Sequence, residues 1–173
     1  MERLDLRRLS RNTPASYAEL ADDAPPPAEG AVLVSPERLK ADGDRLLSRF
    51  DPVGVRLAAD ASVEDVAPWL DRLSLIAIEI PAFSDGRIFS LAARLRTQAA
   101  FEGEIRAVGH VMADHAEFLA RCGVDSVETA RGAVIDSIVR RMNTYSVWYQ
   151  DAVDARPTVL ELRHGRTRER LAS

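Results

Sequence analysis

An α/β domain built on a parallel sheet is the fold this sequence predicts, and three observations predict it. Short apolar, β-branched runs recur at intervals of about 20–30 residues, the spacing of βαβ units. Helical periodicity fills the gaps between them. Helix-start and helix-stop residues punctuate the boundaries, as in Ser35-Pro36-Glu37 and Cys122-Gly123. The expectation is a small parallel sheet of about four to five strands flanked by helices. It would form an open sandwich or partial barrel, with a long C-terminal helix.

The elements follow in order. Ala31-Val-Leu-Val34 is the first strand. Ser35 then caps a helix with Pro36 at its first position, and Leu39, Leu46, Leu47 and Phe50 give it an apolar face that Gly43 could interrupt. Val53–Ala58 is the second strand. Ser62-Val-Glu-Asp65 matches a capping box, and Val66, Trp69, Leu70 and Leu73 follow at helical spacing. Leu75-Ile-Ala-Ile-Glu-Ile80 reads as a central strand buried on both faces, so Glu79 needs a partner, such as an arginine on a flanking helix. Ile88, Leu91, Ala92 and Leu95 form one stripe of the next helix. Glu104–Val108 is the following strand. Met112, Ala116, Leu119 and Cys122 line the inner face of the helix after it, with Gly123 as its C′ cap. A last strand fits Val124–Val127.

From Glu128 to about Val153 there is no proline, and Val134, Ile135, Ile138, Met142, Tyr145, Trp148 and Tyr149 make a broad apolar face. This predicts one long helix; about 24 residues at 1.5 Å each would span roughly 36 Å, more than a small sheet can cover. Tyr145, Trp148 and Tyr149 would then lie exposed and form a homodimer interface, unless the leader or Thr158–Leu162 folds over them. Thr158–Leu162 could otherwise add an edge strand.

Residues 1–30 read as a leader with a Pro-rich linker, 31–155 as the single α/β domain and 156–173 as a basic tail. The stretch Arg11–Gly30 is expected to be disordered, while Leu4, Leu6 and Leu9 could dock on the body. A net charge of −4 gives no general attraction to nucleic acid or to an anionic membrane. No run reaches the roughly 18 apolar residues of a membrane span, and the first residues lack a signal-peptide core. A cytoplasmic protein is expected. Cys122 is the sole cysteine, so no intramolecular disulfide and no thiolate-held cluster can form within one chain.

Candidate chemistry gathers where strands should end. In Ser84-Asp85-Gly86-Arg87 a helix start supplies unpaired N–H groups, and the arginine fork and serine hydroxyl add donors suited to a small oxyanion. The same residues also make an ordinary helix start, with Asp85 as cap and Arg87 paired to Glu79 or Glu104. His110 could act in acid–base chemistry. His110 and Asp114, four apart, would share a helix face, with His115 pointing away. No third ligand has a recognisable spacing, so no metal site is expected. Glu102 and Glu104 read as the start of a strand, with Glu104 salt-bridged. The dinucleotide fingerprint Gly-x-Gly-x-x-Gly does not occur, and the residues name no cofactor.

Three segments together resemble a bacterial family: Ile78–Arg96 with its Asp85-Gly-Arg87, Phe101-Glu-Gly-Glu-Ile-Arg-Ala-Val-Gly109, and Arg121-Cys-Gly-Val-Asp125. It is a domain-of-unknown-function family whose members are labelled oxidoreductases of sulfite reduction and are encoded beside assimilatory sulfite reductase. The likeness runs from Ala31 to Gln150. The family pattern has aspartate after the glycine that precedes His110, and Asp-Gln where this chain has Asp114-His115. The resemblance implies an accessory protein of assimilatory sulfate and sulfite reduction, binding a sulfur oxyanion, a reductase partner or both. Sulfite reductase and the adenylylsulfate-type reductase are the partners it implies. The alternative is a redox or acid–base enzyme with its site at the carboxyl edge, where Asp85, Arg87, His110 and Asp114 would be the working groups.

Overall fold

The computed structural model describes residues 2–9, 16–130, 132–154 and 156–164. Seven strands form one mixed sheet: β1 (Glu2–Asp5), β2 (Ala18–Glu19), β3 (Val32–Val34), β4 (Val53–Ala58), β5 (Leu75–Ile80), β6 (Glu104–Gly109) and β7 (Ser126–Thr129). Five helices accompany them: α1 (Pro36–Leu47), α2 (Arg87–Thr97), α3 (Ala116–Arg121), α4 (Gly132–Met142) and α5 (Val159–Arg163). The strand order is β1-β7-β6-β5-β4-β3-β2. Strands β2 to β7 are mutually parallel and stand in sequence order, while β1 runs antiparallel beside β7.

This corrects the expected small, purely parallel sheet of four to five strands with a long C-terminal helix. Two of the added strands come from the leader. Leu4 and Leu6 are fully buried on the core face, so β1 has an apolar reason to cover the edge of β7. The stretch expected to be disordered is ordered from residue 16 onward, and residues 11–15 of it lie outside the described residues. The buried Arg38 of α1 holds it. Its guanidinium donates to the carbonyls of Ala21, Asp22 and Ala24 (3.3 and 3.0 Å for the first and last), and it pairs with Asp42. Three carbonyls on one fork fix the turn that precedes the prolines.

The long helix is absent. Residues 126–129 belong to β7, and α4 ends at Met142. Beyond it the Asn143 amide donates back to the Val139 carbonyl (2.9 Å) and the Thr144 hydroxyl to Arg140 (3.3 Å). These side chains satisfy the last carbonyls and stop the helix. The Gly132 start also has a local cause: a Cβ there would lie 2.4 Å from a Glu2 carboxylate oxygen. Thr158 and Glu161 form a reciprocal capping box that opens α5 rather than an edge strand. The segment after the Ser62 capping box is not a regular helix but two short 3₁₀ turns, Val63–Asp65 and Ala67–Trp69, with Pro68 inside the second.

Sequential parallel strands joined by right-handed crossovers place α1, α2 and α3 on the same side, where α4 joins them, and the sheet curls as half a barrel. The main core lies there: Val55, Ile76, Ile78, Ile105 and Val127 of the strands pack under Leu39, Leu91, Leu119 and Ile138 of the helices. The opposite face carries a smaller cluster of Leu33, Leu75, Ala77 and Val108, with Tyr17 laid against it. Ser35 caps α1, accepting from the Arg38 N–H at 2.9 Å while its hydroxyl donates to Asp22 Oδ1 at 2.6 Å. Gly43 does not break α1. It makes room for the Trp69 indole, which a Cβ would approach to 2.8 Å. Gly123, at φ +93°, closes α3 with the paired bonds Gly123 N–H to Ala120 and Val124 N–H to Leu119, both 3.0 Å. Cys122 beside it is half-buried, and burial pushes its thiol up from the ordinary value. No helix among the described residues is long and apolar enough to cross a membrane.

The amino ends of β6 and β7 meet on one side chain. Arg96, near the end of α2, donates to the carbonyls of Gly123 (3.0 Å), Gly103 (2.9 Å) and Phe101 and to the Asp125 carboxylate. Replacing Arg96 by leucine would take the inner guanidinium from Asp125, which keeps Arg7 and the Ile105 N–H, and leave three carbonyls without that donor. Losing one partner of a buried pair costs about 3–5 kcal/mol. Urea unfolding of Arg96→Leu should show a loss of that size; a midpoint equal to wild type would mean that the contacts are dispensable.

Candidate functional site at the carboxyl edge of the sheet

Strands β4, β5, β6 and β7 end together at Ala58, Ile80, Gly109 and Thr129. The turn from Pro81 to Gly86 leaves β5 and delivers Arg87 as the first residue of α2. Asp85 accepts from the Arg87 backbone N–H at 3.1 Å and takes the guanidinium bidentately, with Nε at 2.9 Å and Nη2 at 2.6 Å. The remaining nitrogen, Nη1, lies 3.1 Å from the carboxylate of Asp60, which follows β4. Arg87 therefore bridges two strand ends and remains 57% exposed. Hydrogen bonds from Arg87 hold the Asp85 carboxyl well below its ordinary value, at about 2. Ser84 and Gly86 are exposed, and Gly86 stands at the N-cap of α2 with no side chain of its own to cap it. Neither Glu79 nor Glu104 reaches Arg87; its carboxylates are Asp85 and Asp60.

His110 reaches the same edge through a different device. Gly109 has φ +85°, and a Cβ there would sit 2.7 Å from the Ile80 carbonyl. The missing Cβ lets the end of β6 bend across β5, where the His110 N–H donates to Ile80 at 2.8 Å. The exposed imidazole then lines a cavity of about 290 Å³ with Glu79, Ile80, Met112, Thr129 and Val134. Glu79 is held from the neighbouring strand, since its Oε2 accepts from Arg56 Nε at 3.1 Å. The partner is on β4 and not on a helix because Glu79 points to the helix-free face.

Asp114 does not join His110. Met112 is extended (φ −118°, ψ 156°), so the two residues share no helical turn. Asp114 lies in a 3₁₀ turn over Ala113–His115, its carboxylate 4.0 Å from Arg141 of α4. His115 is buried, stacked on Phe83 at 4.9 Å and edge-on to Phe89 at 6.1 Å, and its Nδ1 has no hydrogen-bond partner among the described residues.

The helix-free face holds charges that sequence reasoning did not gather. Buried Arg106 of β6 donates to Glu104 (2.9 and 3.1 Å) and to Glu128 of β7 (3.2 Å), under the ring of Tyr17. The Ser126 hydroxyl donates to Glu104 at 2.5 Å. On β4, Arg56 joins Glu79 to Glu19 of β2. The signal lay in the alternation Glu104-Ile-Arg-Ala and Ser126-Val-Glu-Thr, in which every second residue is polar. Glu104 is salt-bridged at the start of its strand, as its position suggested.

Residues 54–160 match the profile of a family described as "Bacterial protein of unknown function (DUF934)". The chain belongs to this family. The match runs from β4 to the start of α5 and takes in Asp60, Asp85, Arg87 and His110 of the carboxyl-edge site. A comparison with curated proteins finds no match. The family membership agrees with the segments from Ile78 to Asp125 that carried the resemblance.

The ion pair at the start of α2 makes a pH prediction. Asp85 has a native value of about 2 against 3.8 ordinarily. Its contribution to stability is therefore present above the ordinary value and is lost as pH falls toward about 2. Asp85→Asn should flatten the acid limb of the stability-against-pH curve between about pH 4 and pH 2. An unchanged slope in chemical denaturation would show that the pair is open in solution.

Proposed function

We propose that the protein is an accessory factor of assimilatory sulfate and sulfite reduction that binds a sulfur oxyanion, a reductase partner or both. The family resemblance of the Ile78–Asp125 segments supports the pathway. The observation that carries the oxyanion is the Arg87 fork. Its guanidinium is exposed, lies at a helix start and already holds carboxylates in the bidentate geometry that a sulfur oxyanion would adopt. Asp85 and Asp60 are thus competitors for the site. An arriving anion exchanges with a carboxylate at a surface where such pairs are individually weak.

A second reading has one observation in its favour. The cavity between the ends of β5, β6 and β7 places His110 with Glu79, which is the composition of an acid–base site. In that reading the chain is an enzyme, and a purified sample examined for colour and metal content separates redox chemistry from hydrolytic chemistry.

The first reading makes two expectations. A deletion strain should grow poorly with sulfate as sole sulfur source and recover on cysteine; normal growth on sulfate counts decisively against it. In calorimetry with sulfite and sulfate, Asp60→Asn should tighten binding by removing a competitor. Arg87→Ala should abolish it, and Arg87→Lys should rescue little because a point charge replaces a fork. Heat signals equal in wild type and Arg87→Ala would remove the oxyanion from this site.

A further inference from the structure

A second cavity lies between α3, α4 and the segment 148–153. It measures about 520 Å³ and shares no lining residue with the His110 cavity. Small-molecule sites commonly run to about 300–1,000 Å³. Its outer wall is held firmly. The Val153 N–H donates to the Arg121 carbonyl at 3.0 Å, and Arg121 Nη2 donates to the Gln150 carbonyl. Trp148 Nε1 donates to Glu117 at 2.5 Å, and its ring packs on the guanidinia of Arg121 (5.3 Å) and Arg156 (4.9 Å). Ties at residues 148, 150 and 153 thus bind the wall to α3, so the space is preformed and costs little ordering to fill.

The lining has an apolar part and a charged part. Phe118 (60% exposed), Cys122, Ala152 and Val153 supply the first. The charged groups are unequally occupied. Glu117 is taken by the Trp148 indole. Arg141 and Asp114 face each other with Nε 4.0 Å from Oδ1, beyond hydrogen-bond reach, and neither side chain has a hydrogen bond among the described residues. Arg121 Nε is buried without a hydrogen-bond partner among the described residues, the Asp154 carboxylate being 3.7 Å away. A cation and an anion therefore stand side by side over an apolar wall, each short of a partner. Buried donors left open in this way call for a group that fills them.

Charge limits what can enter. Asp114, Glu117 and Asp151 stand against Arg121 and Arg141, so the lining disfavours a polyanion such as a nucleotide. A simple carboxylate would set a like charge against Asp114, and a simple amine would leave Arg141 without an acceptor. We propose that this cavity binds a free α-amino acid with an apolar side chain. The carboxylate pairs with the Arg141 fork, the ammonium with Asp114, and the side chain lies against Phe118 and Cys122. Asp114, which the sequence grouped with His110, works at this cavity instead. The inference is separate from the oxyanion reading, because Arg87 and His110 take no part in it.

The test is calorimetry on the full-length chain with L-leucine, L-methionine and L-phenylalanine. At least one should bind with a Kd of about 1 mM or tighter. For the tightest of them, the acid lacking the amino group and the carboxamide lacking the carboxylate should each bind about tenfold more weakly or not at all. Arg141→Ala and Asp114→Asn change exposed side chains and should leave the circular dichroism unaltered. Each should weaken binding of the amino acid by about tenfold or more. No heat signal with any of the three at about 10 mM overturns the proposal. A deaminated acid that binds as tightly as its amino acid overturns it in favour of a plain carboxylate. A carboxamide that does so overturns it in favour of a peptide amino terminus. Binding that survives either Arg141→Ala or Asp114→Asn places the ligand elsewhere and overturns it as well.

Discussion

The guanidinium of Arg96 is the contact on which the parallel half of the sheet depends. It arrives from α2, the crossover between β5 and β6, and binds the backbone just ahead of β6 and just ahead of β7. Its carboxylate partner Asp125 accepts from the Ile105 N–H at 2.7 Å, and the Asp125 N–H donates to the Ile105 carbonyl at 2.8 Å, so one ion pair sets the register of two strands. Space for it is made by glycine. A Cβ at Gly123 would lie 2.6 Å from Arg96 Cγ, and one at Gly103 would lie 2.4 Å from the Phe101 ring over which the guanidinium sits. Burial works against both charges, pushing Arg96 down and Asp125 up from their ordinary values. A pair bought at that desolvation cost contributes more to specifying which groups meet than to net stability.

The curvature follows from the same strands. Sequential order with α1 to α4 on one face leaves the other face without a helical layer, and the side chains divide accordingly. Ile76, Ile78 and Ile80 of β5 face the helices, while Leu75, Ala77 and Glu79 face away. The second face mixes a small apolar patch with two charge ladders, Glu19–Arg56–Glu79 and Glu104–Arg106–Glu128. Each ladder runs across strands, so it ties β2 to β5 and β6 to β7 through side chains as well as through backbone bonds.

Local rules carried much of this in the sequence. Ser35-Pro36, Gly123 and the β-branched run of β5 each state their element in a few residues, and the structure places all three as those residues imply. Long-range pairing was not legible. Nothing near Glu2–Asp5 announces that β1 will lie against residues 126–129, and nothing near Arg38 announces that its fork will bind residues 21–24. The long helix was misread because apolar spacing outweighed the stop signal of Asn143-Thr144, whose side chains turn back on the helix. At the carboxyl edge, the Asp85–Arg87 contact lies two residues apart and was within reach. Asp60, from a different strand end, was not. His110 and Asp114 were separated by an extended Met112 that no local signal marked.

The residues that carry the family resemblance fall into two groups with different physical duties. Arg96, Gly103, Gly123 and Asp125 converge at the amino ends of the strands, where they are buried or packed against one another and fixed by backbone partners. Asp85, Arg87 and His110 stand at the opposite edge, exposed or half-exposed, and each is held by few contacts. A chain can keep the first group and so keep the sheet, because those residues close a framework that tolerates little change in volume or charge. The second group bears no such load, so its identities are free to follow chemistry. His110 belongs to this second kind. It lines the carboxyl-edge cavity without making the bend that delivers it, which belongs to Gly109 and the Ile80 carbonyl. The contacts that build the sheet and the groups exposed at its carboxyl edge are therefore different residues of this chain.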